Sequence, residues 1–568
     1  MTDRDQRAGM RERTRRTSRR SWRPTLGVPT FTLLVAAFIV AFDNVEFWHH
    51  LSEAAHVTQL SNLSFGVAVA VFLVAALSAL MSLFAWRYLY KPFVVVLLLV
   101  ASLVGYFMVT YGIVVDDTML ANTMETDQAE AAGLFSTALV WHLLLTGVLP
   151  VIAVGWVRLV HRPFWRALLV RSVFVVAMLA VAVAAIGVHY KDFSLVLRQN
   201  RDLRMFINPT YAIYSASQFL TQSAEAKNIP LQTIGEDASR TATPASRGKR
   251  KVMIVVVGET TRAANWGLDG YERDTTPELA QRDVLNFSDA HSCGTSTSVS
   301  VPCMFSAVGR DDYDEYDARH SENLLDVARR AGIDVRWEDN QAGGCKGVCE
   351  RVPTENMRSH RIDGVCDADR CLDGVFLQGL AERIDKTQGD VLLVMHTMGS
   401  HGPAYYRRYP KQFAVYTPEC RSNRPQDCSR EQLVNSYDNT VRYVDHIVAS
   451  LIDVLKSADD SADTALIYLS DHGESLGEKG LYLHGFPYMV APEGQTHIPM
   501  IAWLSPGFID DSRLDDACLK KTGDERVSQD NLFATVLGLM DVKTSVYDPD
   551  TDIFAGCRRA ASAQKPAG

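Results

Sequence analysis

The chain begins with long, uninterrupted apolar runs and continues with short ones. Five stretches, at about 26–45, 63–86, 92–112, 136–157 and 164–188, approach or exceed the roughly 20 residues that cross a hydrocarbon core. The first is too long, and too closely followed by others, to be a cleaved signal peptide. Arg87 and Lys91 lie between runs two and three, and Arg158, His161, Arg162 and Arg166 between four and five. The alternate loops, 46–62 and 113–135, carry acidic residues and no Lys or Arg. Basic loops stay on the cytoplasmic side, so the pattern predicts a cytoplasmic N-terminus and everything after the fifth run outside.

Past Lys191 the apolar positions become short and mixed with charge, as suits segments lying in a membrane interface; residues 221–250 turn polar and read as a linker. From Lys251 a new rhythm starts. Val252–Val257, Asp334–Trp337, Val391–Met395, Ala465–Leu469 and Met500–Leu504 read as buried strands. Asn323–Arg330, Asp373–Ile384 and Glu431–Leu455 read as helices. Strands alternating with helices predict an α/β domain around a central, mostly parallel sheet. The expected organisation is a basic cytoplasmic arm (1–25), a five-span transmembrane domain (26–188), interfacial helices and linker (189–250) and an outer α/β domain (251–568).

Charge sharpens this division. The 568 residues carry a formal charge of −9. Residues 1–24 hold nine arginines against Asp3, Asp5 and Glu12, a balance of +6, so the remainder holds −15. That excludes a general nucleic-acid binder, whose affinity comes from clustered Lys and Arg. All ten cysteines lie at or after Cys293, mostly in close sequential pairs. They predict disulfides in an oxidising compartment, which agrees with the topology. The pairs 293–303, 366–371 and 420–428 are expected first; metal thiolates are the competing reading, best represented by Cys345 and Cys349.

In parallel sheets the ligand site lies beyond the carboxyl ends of the strands, and three such ends are chemically loaded. The first runs into Glu259-Thr260, the third into Met395-His396-Thr-Met-Gly-Ser-His401, and the fourth into Ser470-Asp471-His472-Gly-Glu474. Carboxylates and imidazoles gathered at one edge suit zinc or a similar divalent ion. His484 follows shortly downstream, whereas His497, just before Ile-Pro, reads as structural. The segment His291-Ser-Cys293-Gly-Thr-Ser-Thr297 is crowded with hydroxyls between two cysteines. Such a loop ordinarily supplies helix caps. A short disulfide would also make it rigid, as a nucleophile requires, and a divalent cation would activate an otherwise weak alcohol. In the outer loop 116–133, Asn122, Thr126 and Glu130 recur every four residues and share one helical face. Periodicity leaves two readings of them open, a solvated face or a lining for a lipid head group.

Taken together, Gly258-Glu259-Thr260, Cys293-Gly-Thr-Ser-Thr297, Ser400-His401-Gly-Pro403 and Ser470-Asp471-His472-Gly-Glu474, behind five apolar runs, resemble the bacterial lipid A phosphoethanolamine transferases. That family includes the intrinsic and mobile colistin-resistance enzymes. The resemblance implies an alkaline-phosphatase-like outer domain in the periplasm of an inner-membrane protein, acting as a monomer. It implies Zn2+ held by Glu259, Thr297, Asp471 and His472, with Thr297 as the nucleophile. His401, His484 and Lys346 match positions that hold the transferred phosphate or a second metal. Asn122, Thr126 and Glu130 match membrane-proximal substrate residues. Phosphatidylethanolamine would be the donor and lipid A the acceptor, and the modification would confer polymyxin resistance. Cys345 and Cys349 stand where only part of the family has a disulfide.

Two other classes fit parts of the pattern. A phosphoglycerol transferase of the same fold would use a similar Glu/Thr/Asp/His set. A non-catalytic membrane sensor with a decayed domain is disfavoured by the intact Thr297, Asp471 and His472. A sulfatase is disfavoured as well, because Cys303 is followed by Met304-Phe305 and no Cys-X-Pro-X-Arg sequence occurs there.

Overall fold

In a computed structural model, residues 23–559 are described, apart from 58, 60–61, 126–133, 227–229, 342 and 368–369. The basic arm therefore lies outside the described residues, except for its last few positions. The chain divides into two compact units. One comprises the residues up to Tyr106 together with Thr137–Thr210; the other comprises Phe107–Ser136 and everything from Tyr211 onward. The described residues of the outer loop, 113–125 and 134–135, expected within the transmembrane domain, thus group with the outer unit.

Four helices are long and apolar enough to cross a membrane: Leu63–Leu83, Tyr90–Tyr111, Thr137–Trp156 and Phe164–Val188. The first expected run is different. It forms Val28–Phe42 and Val45–Ala55, bent by 64° at Asp43-Asn44, so the number of spans is four, or five if this pair counts as one. The break is held by polar groups. Asn44 donates from Nδ2 to the carbonyls of Ile39 (3.0 Å) and Asn208 (2.8 Å), and its Oδ1 accepts from the Asn208 N–H (2.8 Å). A buried amide that satisfies backbone groups in this way replaces the helical ladder it interrupts.

The outer unit is built on a mixed eight-stranded sheet. In chain order its strands are β1 (Arg250–Gly258), β2 (Leu285–His291), β3 (Asp334–Asp339), β4 (Thr354–Asn356), β5 (Val391–His396), β6 (Ala462–Ser470), β7 (His497–Leu504) and β8 (Val527–Ser528). The spatial order is β8-β2-β7-β6-β1-β5-β3-β4. Only β7 is antiparallel to its neighbours, β2 and β6. Every residue of β1 is buried, with Met253, Val255 and Val257 in one core and Val252, Ile254 and Val256 in the other. That is the signature of a central strand covered on both faces.

Two expectations change. The run Asp373–Ile384 is not one helix: a 3-10 turn (Asp373–Leu377) and a short helix (Leu380–Asp385) are separated at Gly379, whose φ is +64°. The stretch after residue 230 is not a free linker either. Ser239–Arg240 pairs with Val542–Lys543, and Arg240 and Arg247 form ion pairs with Asp390. All ten cysteines are paired: 293–303, 345–349, 366–371, 420–428 and 518–557. The thiolate-metal reading of Cys345 and Cys349 is thereby overturned.

Candidate functional site

Register brings the chemistry to one edge. β1 lies between β6 and β5 and is parallel to both, with Gly258 opposite Ser470 and Val257 opposite His396. The residues that leave these strands, Glu259 and Asp471-His472, therefore emerge side by side, and the loop after β5 passes next to them. Two close approaches fix the geometry. A Cβ on Gly399 would lie 2.6 Å from the Glu259 carbonyl oxygen, so only glycine lets the β5 loop back onto Glu259. Thr260 adopts a positive φ of 54°, which is rare for a β-branched residue. It is held there by its N–H bonding Asp471 Oδ1 (3.0 Å) and by the Tyr437 hydroxyl donating to its carbonyl (2.7 Å).

Thr297 is the first residue of the helix Thr297–Met304, with extended Ser296 before it. Its hydroxyl lies 3.2 Å from Glu259 Oε2 and 3.4 Å from His472 Nε2. His472 Nε2 in turn lies 3.3 Å from Asp471 Oδ2 and 3.6 Å from Glu259 Oε1. Glu259, Asp471 and His472 are fully buried. Burial pushes the His472 imidazole down to about 4, against the opposing pull of the Asp471 charge, with His484 adding to the depression. A neutral imidazole is the form that binds a metal. Its Nδ1 is engaged with the Gly473 carbonyl (2.9 Å), which leaves Nε2 facing the carboxylates.

Asp471 Oδ2 is buried and has no hydrogen-bond donor. A carboxylate oxygen in that state is costly unless a cation meets it. One ligand atom each from Glu259, Asp471 and His472 lies within 4.8 Å of the others, and Glu259, His401 and His484 form a second such group. The residues present fit a divalent cation.

His484 is oriented by a residue that the sequence reading left unassigned. Glu474, fully buried, accepts from His484 Nδ1 (2.8 Å) and from the Tyr405 hydroxyl. Burial first, and then the Glu474 charge, push the Tyr405 phenol well above its ordinary range, so it stays a donor. His401 is positioned by Arg408, whose Nε donates to its carbonyl (2.7 Å), and its ring lies 5.6 Å from that of His484. Gln341 also escaped the sequence reading, and its amide donates to Glu259 Oε2. Beneath the site, Asp373 accepts the N–H groups of Met398 and Gly399, and Gln529 donates to the carbonyls of Ser470 and Asp471. A lone Gln or Asp between ordinary neighbours carries no sequence signal for such roles.

The remaining expected residues are more scattered. Lys346 sits on the loop closed by Cys345–Cys349 with a φ of 53°, lining a small cavity with Pro302 and Ser306 at the end of the Thr297 helix. Asn122 is half-buried on the helix Asp117–Glu125, which packs against Thr297–Met304. Thr126 and Glu130 lie outside the described residues. His497 contacts the Ser288 carbonyl (2.9 Å) and stacks on His291, away from the cluster.

Comparisons with known proteins bear on both units. A sulfatase family model matches residues 251–542, and a phosphoethanolamine transferase EptA/EptB model matches 73–224. The phosphoethanolamine transferase EptA of Salmonella typhimurium is 42% identical over 541 residues, covering 94% of this chain and 98% of that protein. The phosphatidylethanolamine transferase Mcr-1 of Escherichia coli is 36% identical over 528 residues, 89% of this chain and 94% of that one. Among solved structures, the integral membrane lipooligosaccharide phosphoethanolamine transferase A of Neisseria meningitidis superimposes with a TM-score of 0.90 at 36% identity, covering 94% of this chain and 100% of that one. This chain belongs to the EptA family of membrane phosphoethanolamine transferases.

Proposed function

We propose that this protein is an inner-membrane enzyme that moves phosphoethanolamine from phosphatidylethanolamine to a phosphate of lipid A, through a covalent intermediate on Thr297. The observation that carries the reading is the Thr297 hydroxyl, held 3.2–3.4 Å from buried Glu259 and His472 at the carboxyl edge of the sheet. The names of Mcr-1 and of the Neisseria enzyme support the donor and the acceptor class. In this reading the bent pair counts as one of five spans, the N-terminus is cytoplasmic and the catalytic unit is periplasmic, which the basic loops support. The protein acts as a monomer, and the modified lipid A confers polymyxin resistance.

Glu259, Thr297, Asp471 and His472 would hold Zn2+, which when bound supplies the Lewis acidity that makes a threonine hydroxyl nucleophilic at neutral pH. The chain does the rest. Thr297 donates its hydroxyl hydrogen bond to Glu259, so the proton leaves along that contact as Oγ bonds to phosphorus. The ester bond to diacylglycerol breaks, and the departing alkoxide takes a proton from His484 or His401, the imidazoles nearest the cluster. A lipid A phosphate gives its proton to the same imidazole as its oxygen bonds to that phosphorus, the bond to Thr297 Oγ breaks, and Oγ takes its proton back from Glu259. Two half-reactions at one nucleophile give ping-pong kinetics. Lys346 and the two histidines hold the transferred phosphoryl oxygens, and Asn122, Thr126 and Glu130 receive the lipid head group.

The test is mass spectrometry on two samples. Purified protein incubated with a mixture of phosphatidylethanolamine and phosphatidylglycerol should gain a phosphoethanolamine adduct on Thr297, and lipid A from expressing cells should carry the same group. Thr297→Ala should lose both. An adduct of phosphoglycerol mass, or lipid A modification by the alanine variant, refutes the assignment.

A further inference from the structure

A run of seven apolar residues, Phe486-Pro-Tyr-Met-Val-Ala-Pro492, follows His484. It is pinned at both ends and open at its tip. Phe486 accepts from the Thr295 hydroxyl at its carbonyl (2.6 Å) and donates its N–H to Gln495 (3.1 Å), so its root is tied to the loop that leads into Thr297. The Tyr488 hydroxyl donates to the Ser292 carbonyl (2.9 Å), and the Arg310 guanidinium lies over its ring at 3.3 Å. The next residue, Met489, is 92% exposed, and Val490 is 40% exposed.

Among the described residues after 230, five large apolar side chains are exposed: Leu231, Val308, Val415, Met489 and Val490. Three of the five lie within two residues of the Arg310–Tyr488 stack along the chain: Met489 and Val490 follow Tyr488, and Val308 precedes Arg310. An anchored loop that presents methionine and valine to solvent beside a reaction centre marks a contact surface. The occupant can be read from the same unit. Gly112 directly follows the apolar helix Tyr90–Tyr111, and a Cβ there would lie 3.0 Å from Leu481 Cδ2 and 3.4 Å from the Gly480 carbonyl oxygen. Four residues on, a Cβ on Gly485 would meet the Met119 methyl at 3.5 Å. The loop therefore runs from the end of a membrane-crossing helix to the exposed tip within a dozen residues. A second protein copy is a poor occupant, because three side chains fall far short of the ~800 Å2 per partner of a stable interface.

We propose that Phe486–Pro492, with Val308 beside it, is a bilayer-contacting finger that seats the Thr297 edge of the catalytic unit on the apolar region of a phospholipid membrane. Met489 and Val490 enter the boundary between head groups and acyl chains, while Tyr488 keeps the finger in register with the nucleophile's loop. The proposal rests on the transferase reading only for its kinetic test.

The decisive experiment uses the full chain in bilayers of phosphatidylethanolamine and phosphatidylglycerol. Because all ten native cysteines are paired, Met489→Cys offers one reactive thiol for a solvent-sensitive fluorophore. Its emission should shift to the blue and be quenched by lipid-borne nitroxides more strongly than a label at Val415→Cys, which is also exposed. Met489→Asp with Val490→Asp should raise KM for vesicle-borne donor about fivefold and leave turnover of a water-soluble ethanolamine phosphodiester unchanged, whereas Met489→Leu should keep both. Nitroxide quenching no stronger than at position 415 overturns the proposal, as does a blue shift that vanishes on dilution to monomer. Equal losses on vesicle and soluble substrates overturn it too. If Thr297 proved not to be the nucleophile, the quenching comparison would still decide the matter.

Discussion

Replacing Glu474 by glutamine isolates one hydrogen bond whose partners are fully defined. The carboxylate, itself fully buried, accepts twice, from His484 Nδ1 at 2.8 Å and from the Tyr405 hydroxyl. A hydrogen bond from Nδ1 to a carboxylate oxygen puts a His484 hydrogen on Nδ1, and His484 is grouped with Glu259 and His401. Glutamine keeps the volume but owns one acceptor. If its oxygen serves Tyr405, its amide N–H faces Nδ1, so neither the Nδ1 hydrogen nor the positive charge of an imidazolium that donates from Nε2 is held there. A hydrogen bond to a charged group contributes about 1.5–3 kcal/mol, which at 1.36 kcal/mol per decade corresponds to about a 10- to 150-fold loss in rate. The expected result for Glu474→Gln is that fall in kcat at nearly constant KM, with unchanged metal content, because Glu474 is not among the Glu259–Asp471–His472 ligand atoms. The cycle with His484→Ala separates position from chemistry: once the imidazole is gone, Glu474→Gln should cost almost nothing further. The assay is single-turnover formation of the Thr297 adduct. If the two substitutions multiply, Glu474 does not act through His484; if the single variant keeps half the parent rate, the tautomer is not held by this bond at all.

Two further outcomes follow from buried groups. His472 has a folded pKa of about 4 against an ordinary 6.5, so the unfolded chain binds more protons between those values, and its contribution to stability is lost as pH falls through that window. In chelator-treated protein, going from pH 7 to pH 5 should remove on the order of 2 kcal/mol that a His472→Asn variant does not lose; parallel curves in denaturant titrations at the two pH values would contradict the depression. Arg247→Ala should cost about 1.5–3 kcal/mol, because it takes from Asp390, whose side chain is 1% exposed, one of its two guanidinium partners, at 2.6 Å, leaving Arg240, and also breaks the contact with Asp541 at 2.7 Å. Lys520→Ala, which removes a pair exposed on both sides, should stay within about 0.5 kcal/mol in the same thermal melts, and equal shifts for the two would return 230–250 to the status of a linker.

The contrast between Arg247 and Lys520 also explains what could be read from the sequence. A chemical group is legible when its position is set by its own strand. Glu259, Asp471 and His472 follow apolar runs directly, parallel pairing levels those runs, and the carboxyl edge comes with the architecture. The apolar helices were legible for the same local reason, since length and hydropathy are properties of one segment. A group is illegible when its partner is remote. Arg247 looks like any solvated arginine in a Thr-, Ser- and Pro-rich stretch, and only the arrival of Asp390 and Asp541 makes it part of a core. Asn44 breaks the first apolar run because Asn208, 164 positions away, completes its hydrogen bonds. β2, written Leu-Asn-Phe-Ser-Asp-Ala-His, is too polar to stand out alone and is a strand because β7 lies beside it. Gln341, Asp373 and Gln529 are invisible for this reason as well: each steadies the edge through bonds to backbone or carboxylate groups far away in sequence. The residues proposed to do the chemistry stand out in the local pattern, and those that hold them in place do not, because positioning is a property of pairs. Substitutions at the second group should accordingly act through geometry, lowering turnover or stability while the Glu259–Asp471–His472 cluster stays complete.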